Sequence, residues 1–257
     1  MKQQIELPSG ELTYEVVGEG HPVLFLHPAG GVRWSPFHEG LARSFKVYVP
    51  IMPGFDGTPF HESVRSMEAL AGVVGEFVDR AIGGNCDVIG HSFGGWLAAW
   101  LAVLRPDRVE HLVLEAPAGF RPKGSPGLPR EAQALRAALF VHPEKAPPSA
   151  DPARMLANHQ ALPHYGGGAR DTDDALVARL REIAAPTLIL RGTADPLIPD
   201  ESVQLLRMHL RHAYLIYIWD ASHAIEIDQP ERMLGVVESF LKRSDAFIVN
   251  WETAAVG

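Results

Sequence analysis

Gly90-His91-Ser92-Phe93-Gly94 sets a serine in the pattern G-x-S-x-G, where the apolar run "CDVIGH" ends and "GGWLAAWLAVL" begins. A serine hydroxyl is a weak nucleophile at neutral pH, so it needs a base within hydrogen-bond reach and a third group to orient that base. The chain offers 12 histidines. His91 adjoins the serine, but neighbouring side chains on a tight turn diverge, so His91 is expected to pack or bond locally. His223, in "WDASHAIEIDQPE", and Asp195, in "LILRGTADPLIP", each follow a strand-like run and should reach the same sheet edge as Ser92. Glu115, at the end of "HLVLEA", is the alternative acid. The chemistry of such a set is acyl transfer: Ser92 attacks a carbonyl, His223 takes its proton and Asp195 orients His223. The oxygen that turns negative needs backbone N–H donors. Phe93, directly after the serine, supplies one. The second is assigned to Ala29 in "HPAGG", where Gly30 and Gly31 let the backbone approach a substrate closely.

These residues need a scaffold that brings distant segments to one edge. Short apolar runs rich in β-branched and aromatic residues recur at 12–18, 22–27, 46–51, 86–91, 111–116, 186–192 and 213–219, and read as strands. Several are continuous rather than alternating, as strands covered on both faces of a parallel sheet are. Helical spacing of apolar residues falls between them, at 66–82, 94–104, 200–210 and 230–242. Strand and helix alternate, which predicts a doubly wound α/β fold. The serine then sits on a sharp strand-to-helix turn, where Gly90 and Gly94 avoid a Cβ that would press on the neighbouring elements.

The alternation fails between 117 and 185. "APAGFRPKGSPGLPR" is too rich in Pro and Gly for a regular element, and helical stretches at 130–141, 152–161 and 173–183 follow, separated by "HPEKAPPSADP" and "HYGGGAR". A structureless loop of this length is improbable in a compact domain, so the segment reads as a helical cap. The domain division is a core of 1–116 and 186–257 with a cap of 117–185.

Composition narrows the partners. The 257 residues are 46% hydrophobic, enough for a sizeable core, and 23 basic against 31 acidic side chains leave a net charge of -8 without a basic stripe for nucleic acid. Cys86 is the single cysteine, which excludes an intrachain disulfide or a multi-cysteine metal site. No segment approaches a membrane span or an apolar leader, so a cytoplasmic protein is expected. Oligomeric state is left open.

The motifs in order resemble those of the α/β-hydrolase superfamily, of the kind with a helical cap: "HPAGG" is similar to its oxyanion loop, "GHSFGG" to its nucleophile elbow, "GTADPLIP" to its acid loop and "ASHAIEIDQPE" to its histidine loop. Pro28 departs from the glycine common there; it lacks an N–H but can stiffen the loop that presents Ala29. The resemblance implies a mostly parallel twisted sheet flanked by helices, and a serine hydrolase that cleaves small-molecule carboxylic esters without metal or organic cofactor. Relatives that break C–C bonds or act as non-haem haloperoxidases or perhydrolases carry the same three residue types. A slow-turnover receptor on this scaffold is the reading from a different class.

Overall fold

The protein is described from a computed structural model, which covers residues 2–125, 129, 131–147, 152–166 and 172–247. Eight strands, β1 (Lys2–Leu7), β2 (Gly10–Val17), β3 (Pro22–Leu26), β4 (Lys46–Ile51), β5 (Cys86–His91), β6 (Val109–Glu115), β7 (Thr187–Gly192) and β8 (Ala213–Ile218), form one sheet in the order β1-β2-β4-β3-β5-β6-β7-β8. β1 and β2 run antiparallel to their neighbours, and every pair from β4 onward is parallel.

The continuous apolar runs follow from cover on both faces. Along β3, Leu24 and Leu26 point into one buried cluster, while Val23 and Phe25 point into the other. Helices α2 (Met67–Phe77), α3 (Phe93–Leu104) and α7 (Asp200–His209) cover the first face. α1 (Pro36–Leu41), α8 (Ile225–Asp228) and α9 (Pro230–Arg243) cover the second. α3 is apolar all round, from Phe93 to Val103, because it lies between the sheet and further protein.

One strand and two α-helices escape the sequence reading, each for a physical reason. β1, "KQQIEL", is an edge strand with only Leu7 buried, so it carries no apolar run to notice. α1, of six residues, and α8, of four, fall short of the length at which periodicity becomes visible. The helix expected over 66–82 ends at Phe77 and passes into a π-helical turn, Val78–Ile82, closed by Gly83 in the left-handed region.

The excursion between β6 and β7 carries α4 (Ala132–Leu139), α5 (Pro152–Ala161) and α6 (Asp174–Arg179) with short 3-10 turns. Residues 126–128, 130, 148–151 and 167–171, part of the sequence reading of this segment, lie outside the described residues. Polar clasps tie the helices down. Asp173 caps α6 through the Leu176 N–H and also accepts hydrogen bonds from the indole N–H groups of Trp96 and Trp100 on α3, both at 2.8 Å.

Candidate active site

The turn at Ser92 is forced by its neighbours. A Cβ on Gly90 would lie 2.2 Å from the Gly94 carbonyl oxygen, and one on Gly94 would lie 2.0 Å from that of Leu26, so strand and helix can touch only without side chains there. Ser92 itself takes φ 54°, ψ -110°, a strained conformation for a residue with a Cβ. Its backbone is fully engaged: the N–H donates to the Glu115 carbonyl at 2.9 Å, and the carbonyl accepts from Gly95, Trp96 and Ala118. The surrounding bonds hold the hydroxyl-bearing residue on the bend. Phe93 is the first residue of α3, so its N–H has no acceptor within the helix.

Asp195 and His223 meet because their loops are laced together. The Ala194 N–H donates to the Ala221 carbonyl and the Thr193 N–H to the Ile218 carbonyl, and Gly192 makes room for the crossing, since a Cβ there would sit 2.1 Å from the Ser222 oxygen. Asp195 Oδ1 accepts from the Leu197 and Ile198 N–H groups, which leaves Oδ2 for His223 Nδ1 at 3.1 Å. A carboxylate can only accept, so Nδ1 donates and Nε2 keeps the lone pair a base needs. Burial works to raise the Asp195 carboxyl, but the His223 charge and hydrogen bond together with the two N–H groups outweigh it and hold the group below the ordinary carboxylate value. Asp195, and not Glu115, is the acid paired with His223.

Ser92, Phe93, His223 and Ala29 line one pocket, with Asp195 behind His223. The sequence-derived set therefore converges. The loop that carries Ala29 gains supports that sequence did not reveal. His27 Nε2 accepts from the Met52 N–H, so its Nδ1 donates to the Pro28 carbonyl, at 2.8 Å. Asn158 on α5 donates to the Gly30 carbonyl at 3.1 Å and to Asp56 Oδ1 at 2.9 Å, while Asp56 Oδ2 receives the Val32 N–H. A Cβ on Gly31, whose φ is +87°, would fall 2.1 Å from Asp56 Oδ1. Gly31 thus makes room for this clasp, a role beyond the substrate approach expected of it.

The histidine loop is pinned from the insertion as well. Ser222 Oγ donates to the Ala138 carbonyl and the Ala224 N–H to that of Leu139, so both neighbours of His223 are bound to the end of α4. Asp228 gathers the N–H groups of Val141, His142 and Ser222.

His91 does bond locally, and to the site itself: its Nε2 donates to the His223 carbonyl at 3.0 Å. Its Nδ1 faces Glu226 Oε1 at 3.3 Å, close enough for charge attraction but not aligned as a hydrogen bond. The Glu226 N–H donates to Glu115 Oε1, and the Oε2 atoms of both glutamates are sealed from water without an N–H or O–H donor. Two carboxyls so placed share a proton. Burial, then the nearby Glu226 charge, pushes Glu115 well above the ordinary carboxyl value. Burial works to raise Glu226 too, but His91 and the Glu115 proton hold it far below that value. Burial also brings His38, packed close by, down to about 4. Among the described residues, His91, Glu115 and Glu226 are the group whose ligand atoms, within 4.8 Å of one another, have metal-ligand spacing.

A parallel sheet with a serine on a glycine-walled elbow and an Asp–His pair at the same edge defines a class of hydrolase. The chain belongs to the alpha/beta hydrolase family, whose model matches residues 23–236. It is 25% identical to the pimeloyl-[acyl-carrier protein] methyl ester esterase of Aeromonas salmonicida, over 90% of this chain and 99% of that one. It is 28% identical to the 2-hydroxy-6-oxo-2,4-heptadienoate hydrolase of Pseudomonas putida, over 89% and 92%. The meta-cleavage product hydrolase of Pseudomonas fluorescens IP01 shares the fold, with a TM-score of 0.78 at 22% identity over 93% of this chain and 97% of that one. The chain is a hydrolase of this fold. Among the described residues, no helix is long and apolar enough to cross a membrane.

Proposed function

We propose that this hydrolase cleaves carboxylic esters through an acyl-enzyme formed on Ser92. The observation that carries the reading is the 3.1 Å contact between Asp195 and His223, which leaves Nε2 unprotonated in the pocket that Ser92 also lines. His223 takes the hydroxyl proton as Ser92 attacks the carbonyl, and the Phe93 and Ala29 N–H groups hold the oxyanion. His223 then gives that proton to the leaving alcohol. A water deprotonated by the same nitrogen releases the acid and restores the serine. The segment 117–185 serves as a cap whose Leu135, Leu139 and Leu162 close over the core's site.

One observation favours a second reading, hydrolysis of a C–C bond beside a carbonyl: the 28% identical relative is named as a dienoate hydrolase. A panel of p-nitrophenyl esters run beside vinylogous diketones separates the two. Esters are expected to turn over faster, and turnover confined to the diketones would replace the ester reading.

A further inference from the structure

We propose that the pocket in front of Ser92 selects substrates that carry a carboxylate, held by Arg33. The inference rests on the ester-hydrolase reading and adds the charge of the substrate. Although the chain carries a net charge of -8, among the described residues no Asp or Glu lines this pocket, whereas two arginines do. Arg121, which follows Phe120 at the start of the insertion, is only 2% exposed, and its backbone is fixed by the Thr172 hydroxyl donating to its carbonyl at 2.7 Å. Arg33 leans over the oxyanion loop. Its Nη2 stands 2.6 Å from where a Cβ on Gly30 would be, so the missing side chain at Gly30 is what admits the guanidinium next to Ala29.

Elsewhere on the molecule arginines answer to carboxylates: Arg105 and Arg108 to Asp79, and Arg179 to Glu182. Arg33 is different. Its Nε is shut off from water without an acceptor, and among the described residues it makes no hydrogen bond or ion pair. A guanidinium cannot shed its proton, so a buried Nε–H left without an acceptor is a standing cost of the free protein. A planar carboxylate, offering two acceptors to the fork, removes that cost, and a neutral substrate of the same shape does not. His159 also lines the pocket, and Leu135, Leu139, Leu162, Leu197 and Ile198 give it an apolar wall. The substrate class that fits is an ester whose hydrocarbon segment links the scissile carbonyl to a carboxylate.

The test compares p-nitrophenyl monoesters of C4 to C8 dicarboxylic acids with neutral p-nitrophenyl esters of equal length. The wild type should favour the charged series in kcat/KM, and Arg33→Met should lower the ratio of charged to neutral by about 10- to 100-fold, the range a charge-assisted hydrogen bond supports. Arg33→Lys, which keeps the charge but loses the fork, should restore part of that ratio. If neutral esters are hydrolysed and the charged series is not preferred, the carboxylate proposal is overturned while the ester reading stands. If neither series is hydrolysed, the ester reading fails and binding decides the charge question alone. Glutarate should then raise the melting temperature of Ser92→Ala saturably, and less in Ser92→Ala/Arg33→Met; equal or absent shifts would overturn the proposal.

Discussion

At the sheet edge, Ser92 is held on its bend by four backbone hydrogen bonds and by glycines that admit no side chain, above strands buried on both faces. In the insertion, the pocket wall is held by a few polar clasps, Asn158 on Gly30, Ser222 and Ala224 on the end of α4, and Asp173 beneath two tryptophans. The first region draws its rigidity from apolar burial, the second from hydrogen bonds placed beside the reacting groups. A clasp lost in the insertion should therefore change turnover more than stability, and a glycine lost at the elbow should do the reverse.

The largest effects belong to the sheet edge. Ser92→Ala should cut activity by about 10⁵- to 10⁶-fold, as in other serine hydrolases, with an unchanged melting temperature; residual activity above a tenth of wild type would reject Ser92 as the nucleophile. Asp195→Asn should lower kcat by about 10⁴-fold, because an amide can hold His223 in the wrong tautomer. If Glu115→Gln produced that loss instead, the pairing seen at 3.1 Å would not be the working one.

Asn158→Ala tests the insertion. It frees the Gly30 carbonyl and Asp56 together, and a misplacement of about 1 Å in a site costs on the order of 100-fold in rate, so kcat should fall by about 10- to 100-fold while the melting temperature moves little. A variant that melts early but keeps its kcat would remove the distinction between the two regions.

The smallest effect is a change of slope. Glu115 keeps its proton in the folded state above its ordinary value of 4.5, so the folded protein binds more protons than the unfolded chain, and stability falls as pH rises. Each pH unit across that window is worth about 1.4 kcal/mol. Glu115→Gln mimics the protonated acid and should flatten the decline above pH 4.5, read from urea unfolding at several pH values. An equally steep decline would mean that the two glutamates share no proton. Asp195 has the opposite sign: its contribution is present above the ordinary value of 3.8 and is lost only as pH falls below it.

The core was legible in the sequence because parallel strands buried on both faces write themselves as apolar runs, and because each functional loop follows such a run. Ser92, Asp195 and His223 needed no tertiary contact to be picked out. The supports of the site were not legible. Asn158 lies 102 positions from the Asp56 it binds, and His91 reaches His223 across 132 positions; a single Asn or His in a helix or turn carries no periodic or spacing signal. Arg33 likewise reads as a loop arginine until the space left by Gly30 is seen.

The measurement that tests the central claim most directly is intact-protein mass after reaction with a fluorophosphonate, followed by peptide mapping. The account predicts one adduct per chain, on the peptide containing Ser92, with loss of ester turnover in proportion to labelling and no adduct on Ser92→Ala. Full turnover in a labelled protein, or an adduct that persists in Ser92→Ala, would contradict it.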